Sequence, residues 1–223
     1  MASQRARRQA PAPRKRGSGP LAVLAAIVAF VLVAAGSWLV ISSVHKNSTA
    51  PKDLAGNPVQ FEPGNSPDPS TLQQMQVRDG DSGRLKVPAV GLDVPLGSML
   101  TVNNVINPPG FAEAYWVRNL GVALDKPATG TVYIVTHSVS KGMAPGNYLL
   151  NANTGGTSVK AGDVISVNNT DYVTQSWKAV SKPDLPNASD LWSSVPGRLV
   201  LITCLEEPDG SFPDNLVIIA QLK

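Results

Sequence analysis

The chain has 223 residues, 43% of them hydrophobic and 16% charged, room for one domain of ordinary size and too apolar to be wholly disordered. One cysteine excludes an internal disulfide framework, and two histidines exclude a His-rich metal cluster. Six of the 19 basic residues precede position 17, which leaves the remainder with 13 basic against 16 acidic residues, a net of −3; a nucleic-acid-binding domain carries its positive charge on the fold, so no nucleic-acid partner is expected.

Residues 1–20 form a basic tail, read as cytoplasmic. Residues 21–41, LAVLAAIVAFVLVAAGSWLVI, run 21 positions without a charge. As a helix this is about 31 Å, enough to cross a hydrocarbon core of ~30 Å. The nearest cation after it is Lys46, so the positive-inside tendency keeps the N-terminus in the cytoplasm and sends the remainder outside. A cleaved signal peptide over 21–32 is the competing reading. The continuation of the apolar run through Trp38 to Ile41 favours a retained transmembrane helix. From 42 to 83 the composition turns to Ser, Pro, Asn, Gly and Asp, and no apolar period survives. A flexible stalk is expected there, some 40 residues with an end-to-end distance of roughly 35 Å.

Residues 84–223 read as one all-β domain. Candidate strands cover 84–87, 92–96, 99–105, 114–117, 131–136, 164–167, 172–177, 199–203 and 216–222. They are rich in Val, Ile, Tyr and Thr and are punctuated by Gly and Pro. Two runs, VYIV at 132–135 and LVLI at 199–202, are apolar on both faces and belong to central strands. Eight or nine short strands in about 140 residues make a closed or half-closed β-barrel or a sandwich. Helix is expected only in short connections such as 147–151.

Each central run ends in a reactive residue: VYIVT leads into His137, and LVLIT into Cys204. A group at the end of a buried strand is held rigidly and still reaches solvent. Taken singly, a strand-terminal Cys is more often an inert core residue. The other histidine, His45, lies at the membrane edge, so His137 is the one partner a Cys204 nucleophile has. An imidazolium beside a thiol lowers its pKa and later protonates a leaving group. Glu206, Glu207 and Asp209 read as a solvated loop rather than a metal site.

RLKVPAVGLDVPLG at 84–97, NPPGFAEAYWV at 107–117, TVYIVTHS at 131–138, VKAGDVISV at 159–167 and RLVLITCLE at 198–206 resemble, in this order, a sortase. The resemblance covers residues 84–223 and is nearest to class E/F, above all class F. Its most specific piece is Leu201-Ile202-Thr203-Cys204 downstream of a strand-terminal His. The resemblance implies a membrane-anchored cysteine transpeptidase. Cys204 would attack the Thr–Gly carbonyl of an LPxTG-like sorting signal, and His137 would protonate the departing amine. An amine acceptor, such as a lipid II stem peptide or a pilin lysine, would resolve the thioacyl enzyme. Exported proteins with a C-terminal sorting signal would be the substrates, and no dissociable cofactor is implied.

The chain departs from the family pattern at three places. Val200 stands where the first Thr of Thr-Leu-x-Thr-Cys is usual, and Thr136 where Gly often precedes the His. The family's Arg at the head of the last strand is missing: Pro213-Asp214-Asn215 stands there, and no Arg follows Arg198. Arg198 begins the run that Cys204 ends, ~20 Å away. Asn215 is therefore the candidate for the third role, as an uncharged donor, unless Asp214-Asn215 merely closes a turn. Arg118 and Arg84 are the competitors. An L,D-transpeptidase places its His close before its Cys, and a papain-like peptidase places Cys before His; neither order is found here. A tethered β-domain that only binds cell-surface peptide or polymer remains the alternative to an enzyme.

Overall fold

A computed structural model describes residues 50–59, 68–77, 83–103 and 105–223. The expected basic tail and the expected transmembrane helix over 21–41 lie outside the described residues. Among the described residues no helix is long and apolar enough to cross a membrane.

In chain order the elements are α1 (Pro69–Met75), β1 (Gln76–Val77), β2 (Gly83–Val87), β3 (Leu92–Met99), β4 (Ala114–Val117), β5 (Thr131–Val135), β6 (Leu150–Asn151), β7 (Gly156–Thr157), β8 (Val164–Val167), β9 (Thr170–Ser181), α2 (Ser189–Trp192), β10 (Arg198–Leu205) and β11 (Asp214–Leu222). The sheet runs β3-β2-β8-β9-β11-β10-β5-β4, and β4 pairs with β3 again. This closes an eight-stranded barrel and removes the open edges that a flat sheet would leave. The expected closed barrel is therefore the observed one; a half-closed barrel and a sandwich are not. β6 and β7 form a separate hairpin.

Alternation along β5 and β10 builds two cores. Val132, Ile134, Leu199, Leu201 and Leu205 face the barrel interior with Leu85, Leu96 and Ile165. Tyr133, Val135, Val200 and Ile202 face outward into a second cluster with Val217 and Leu191. That outer face is covered by the connection between β9 and β10, which contains α2. This double burial is why the two runs are apolar on both sides. Arg198, itself buried, pins the covering segment. Its guanidinium donates to the carbonyls of Asp190 (2.9 Å), Leu191 (2.8 Å) and Ser193, and to Thr131 Oγ1 (3.1 Å).

Local chemistry sets the turns. β8 and β9 are joined through Asn168 and Asn169, both with positive φ (47° and 64°), the pair of left-handed residues that a two-residue hairpin requires.

Three expectations need correction. The run 99–105 is not a strand: Met99 ends β3, and only an isolated bridge joins Val102 to Val105. The short helical connection falls at Pro145–Tyr148 as a 3-10 turn rather than at 147–151. The stretch 42–83 is not stalk throughout. Asp53 is buried, and its carboxylate accepts from the backbone of Met143 (2.9 Å), Ala55 (3.0 Å) and Asn57 (2.8 Å). Leu54 packs on the inner core, and Met75 is 1% exposed, with β1 paired to β3. A few anchoring contacts hold these polar segments, without any apolar period to announce them.

Candidate active site

Cys204 lies one residue from the end of β10. In the antiparallel pairing with β11 its Cα partner is Asn215. In the parallel pairing with β5, Ile202 stands opposite Val135, and the Thr136 amide donates to the Ile202 carbonyl at 3.0 Å. Two residues further on, this register brings His137 beside Cys204. Residues opposite one another point to the same face. His137, Cys204 and Asn215 thus project from three neighbouring strands onto the outer face, just beyond Val135, Ile202 and Val217.

All three line one open cleft of about 840 Å³. Its floor includes Val135 and Ile202. One wall is the connection between β3 and β4, with Ile106, Pro108 and Phe111. The facing wall is the β9–β10 connection, with Leu185, Pro186 and Trp192, whose indole N–H is tied to the Leu185 carbonyl at 2.7 Å. Pro58 and Val59, from the segment that Asp53 ties down, reach its rim. An apolar trough with a polar end suits an extended peptide with apolar side chains.

The imidazole of His137 is fixed on two sides. It stacks on Phe111 with ring centroids 4.2 Å apart and planes 18° apart. Its Nε2 lies 2.8 Å from the Pro108 carbonyl oxygen. A carbonyl only accepts, so Nε2 carries the hydrogen, and Nδ1 holds the lone pair of the neutral ring.

A clamp on the opposite face holds the two strand ends together. Ser138 Oγ donates to the Cys204 carbonyl at 2.8 Å, and Thr203 Oγ1 lies 2.7 Å from Ser138 Oγ. Ser138 has one hydroxyl hydrogen, so Thr203 supplies the second bond. Gly146 closes over this pair, its amide donating to the His137 carbonyl at 2.8 Å. A Cβ there would overlap Thr203 Oγ1 outright and stand 2.5 Å from Ser138 Oγ. Only a residue without a side chain fits. Thr203, the third letter of Leu-Ile-Thr-Cys, thereby acts as a strand clamp.

The arginines stand elsewhere. Arg84 pairs with Asp93 at 2.5 Å on the exposed side of β2 and β3. Arg118 lies over Trp116 at 5.6 Å from the ring centroid. Arg198 holds the covering segment. None of the three lines the cleft, so Arg84 and Arg118 are withdrawn as competitors for the third role. Asn215, 9% exposed, does line it. Two lysines that the sequence reading passed over, Lys141 and Lys182, line it as well, and among the described residues no carboxylate does. Glu206, two residues beyond Cys204, is outside the lining, and burial pushes its carboxyl up. Among the described residues no group of His, Cys, Asp and Glu could hold a metal ion.

No family model matches the chain, and no curated protein matches it. Solved structures that it resembles are sortases. With sortase A of Listeria monocytogenes the identity is 18%, the TM-score 0.47, and the match covers 65% of this chain and 88% of the other. With sortase C-1 of Actinomyces oris the figures are 17%, 0.47, 82% and 94%. With a sortase D5 transpeptidase of Clostridium perfringens they are 13%, 0.43, 71% and 90%. These proteins belong to classes A, C and D, and nothing in them points to class E or F. Likeness at this level transfers no role to any residue.

Proposed function

We propose that the barrel is the catalytic domain of a sortase-like cysteine transpeptidase, with Cys204 as nucleophile, His137 as the proton-transferring group and Asn215 as a hydrogen-bond donor. The observation that carries this is the register: the cysteine stands between the strand end that delivers a histidine and the strand that delivers an asparagine amide, at the end of a peptide-sized trough.

In this reading an exported protein lays an LPxTG-like sorting signal along the trough. The Cys204 thiol gives its proton to Nδ1 of His137, the sulfur forms a bond to the Thr–Gly carbonyl carbon, and the π pair moves onto oxygen, where the Asn215 amide donates. Collapse of that intermediate restores the carbonyl and breaks the C–N bond. The Gly amine leaves with a proton from His137. An amine acceptor, from a lipid II stem peptide or a pilin lysine, then attacks the thioester and loses its proton to the neutral His137, and the C–S bond breaks to release the Cys204 thiolate; water in its place would give hydrolysis. The helix over 21–41 would anchor the chain, with the barrel outside the membrane. The class F likeness rests on the five segments between 84 and 206 taken in order and belongs to the same proposal.

A panel of LPxTG and LAxTG peptides, offered with and without an amine acceptor, tests the proposal. Cleavage is expected for wild type, none for Cys204→Ala, and a loss of several powers of ten for His137→Ala with peptide binding retained. No cleavage of any peptide, with saturable binding instead, would make the domain a tethered peptide-binding module. Unchanged cleavage by Cys204→Ala would remove Cys204 from the chemistry.

A further inference from the structure

Asn215 donates hydrogen bonds but brings no charge, whereas attack by a thiolate on a carbonyl carries a full negative charge from sulfur to oxygen. The cleft supplies that charge from another strand. β9 lies beside β11, with Val180 opposite Asn215 and Ser181 opposite Asp214. The pairing continues one step past the strand end, where the Lys182 amide donates to the Pro213 carbonyl at 3.1 Å. Val180 packs on the outer cluster, so alternation places Lys182 on that same outer face. It is two strand spacings, about 10 Å, from β10 and two residues further along the strands than the Cys204–Asn215 pair, a separation that its four-carbon stem spans in part. Its Nζ stands 6.0 Å from the ring centroid of Phe212, which also lines the cleft. That ring holds the ammonium on the cleft side.

We infer that Lys182 is a catalytic residue of this site, its ammonium supplying the positive charge for the Cys204 thiolate and the oxyanion, while Asn215 supplies the directed hydrogen bond. This rests on the reading of Cys204 as nucleophile. Among the described residues, the charged and titratable groups on the sulfur's side are His137 and Lys141 from the segment after β5, Lys182 from the end of β9 and, outside the cleft lining, Glu206 two residues past Cys204, whose carboxyl burial pushes up; β11 contributes Asn215. With His137, Lys141 and Lys182 in the lining, the field of the basic groups described there favours thiolate over thiol. The same field favours a substrate without positive charge next to the scissile bond.

The test is the pH profile of Cys204 alkylation by iodoacetamide in the folded protein, without peptide, for wild type, Lys182→Met and Lys182→Arg. Lys182→Met is expected to move the midpoint upward by about one pH unit, slowing alkylation at neutral pH about tenfold. Lys182→Arg should keep the wild-type profile, and high salt should narrow the gap. Should Lys182→Met fail to fold, Lys182→Gln provides the same comparison. A Lys182→Met or Lys182→Gln profile that superimposes on wild type overturns the assignment, even if wild type cleaves sorting peptides. A shifted profile upholds the charge even if no peptide is cleaved, in which case only the sorting reading falls.

Discussion

Replacing Gly146 by Ala is expected to separate His137 from Cys204 without touching either. The new methyl would overlap Thr203 Oγ1 and stand 2.5 Å from Ser138 Oγ and 2.6 Å from the His137 carbonyl oxygen. Thr203 cannot yield, because β10 is paired on both sides by β5 and β11. The segment carrying Gly146 must therefore move, and its amide gives up the bond to His137. Overpacking costs about 1–3 kcal/mol, and a buried polar group left unsatisfied about 1–3 kcal/mol more. A loss of ~2–6 kcal/mol follows, or about 5–20 °C in Tm for a domain of this size. Urea unfolding gives the first number. The alkylation rate of Cys204 and peptide cleavage then report whether the pair has been uncoupled. Stability within about 1 kcal/mol of wild type, with both rates intact, would refute the clamp.

Three further outcomes are expected. Asn215→Ala should lower the acylation rate about 10²–10³-fold, or ~2.7–4 kcal/mol, with the melting curve little changed; stopped-flow release of the leaving peptide measures it, and a fall under threefold removes Asn215 from the role. Arg198→Met should cost about 2–4 kcal/mol in urea unfolding, since it leaves buried carbonyls of the covering segment without a donor, at about 1–3 kcal/mol for a group that finds no other partner; loosening of Leu185 and Trp192 should raise KM more than it lowers kcat. Asp53, whose carboxyl is held below its ordinary value of 3.8 chiefly by the Met143 amide, should stabilise the fold fully above about pH 4 and lose that contribution as pH falls through its lowered value. The gap in urea midpoint between wild type and Asp53→Ala should therefore shrink from pH 5 to pH 2, and a gap independent of pH would contradict it.

Sequence patterning revealed the centre of the barrel better than its ends. VYIV and LVLI announce β5 and β10 because each is buried on both faces, and the two reactive residues follow them directly. β9 is different. It runs to Ser181, but a reading that stops at 177 is natural, because Gln175, Ser176, Trp177 and Lys178 are exposed or half-buried and show no clear alternation. That early stop left Lys182 in a loop and hid it from the site; Val180 at even spacing from it was the available signal. β3 was divided because Pro95 and Gly97 resemble punctuation, although the strand passes through both. The segments at 50–59 and 69–77 escaped because Asp53, Leu54 and Met75 anchor them singly. The placement of Asn215 opposite Cys204 was legible only as an analogy between two strand ends; the register depends on the length of the turn between β10 and β11, which composition does not set.

The most direct measurement is mass spectrometry of the intact protein after brief exposure to an LPxTG or LAxTG peptide in the absence of an amine. A covalent adduct on Cys204, equal in mass to the acyl portion ending at Thr, is expected. It should be discharged by hydroxylamine and absent from Cys204→Ala. Unmodified protein with every peptide, together with a Cys204 thiol that resists alkylation until the barrel unfolds, would contradict the account and make Cys204 a packed strand residue.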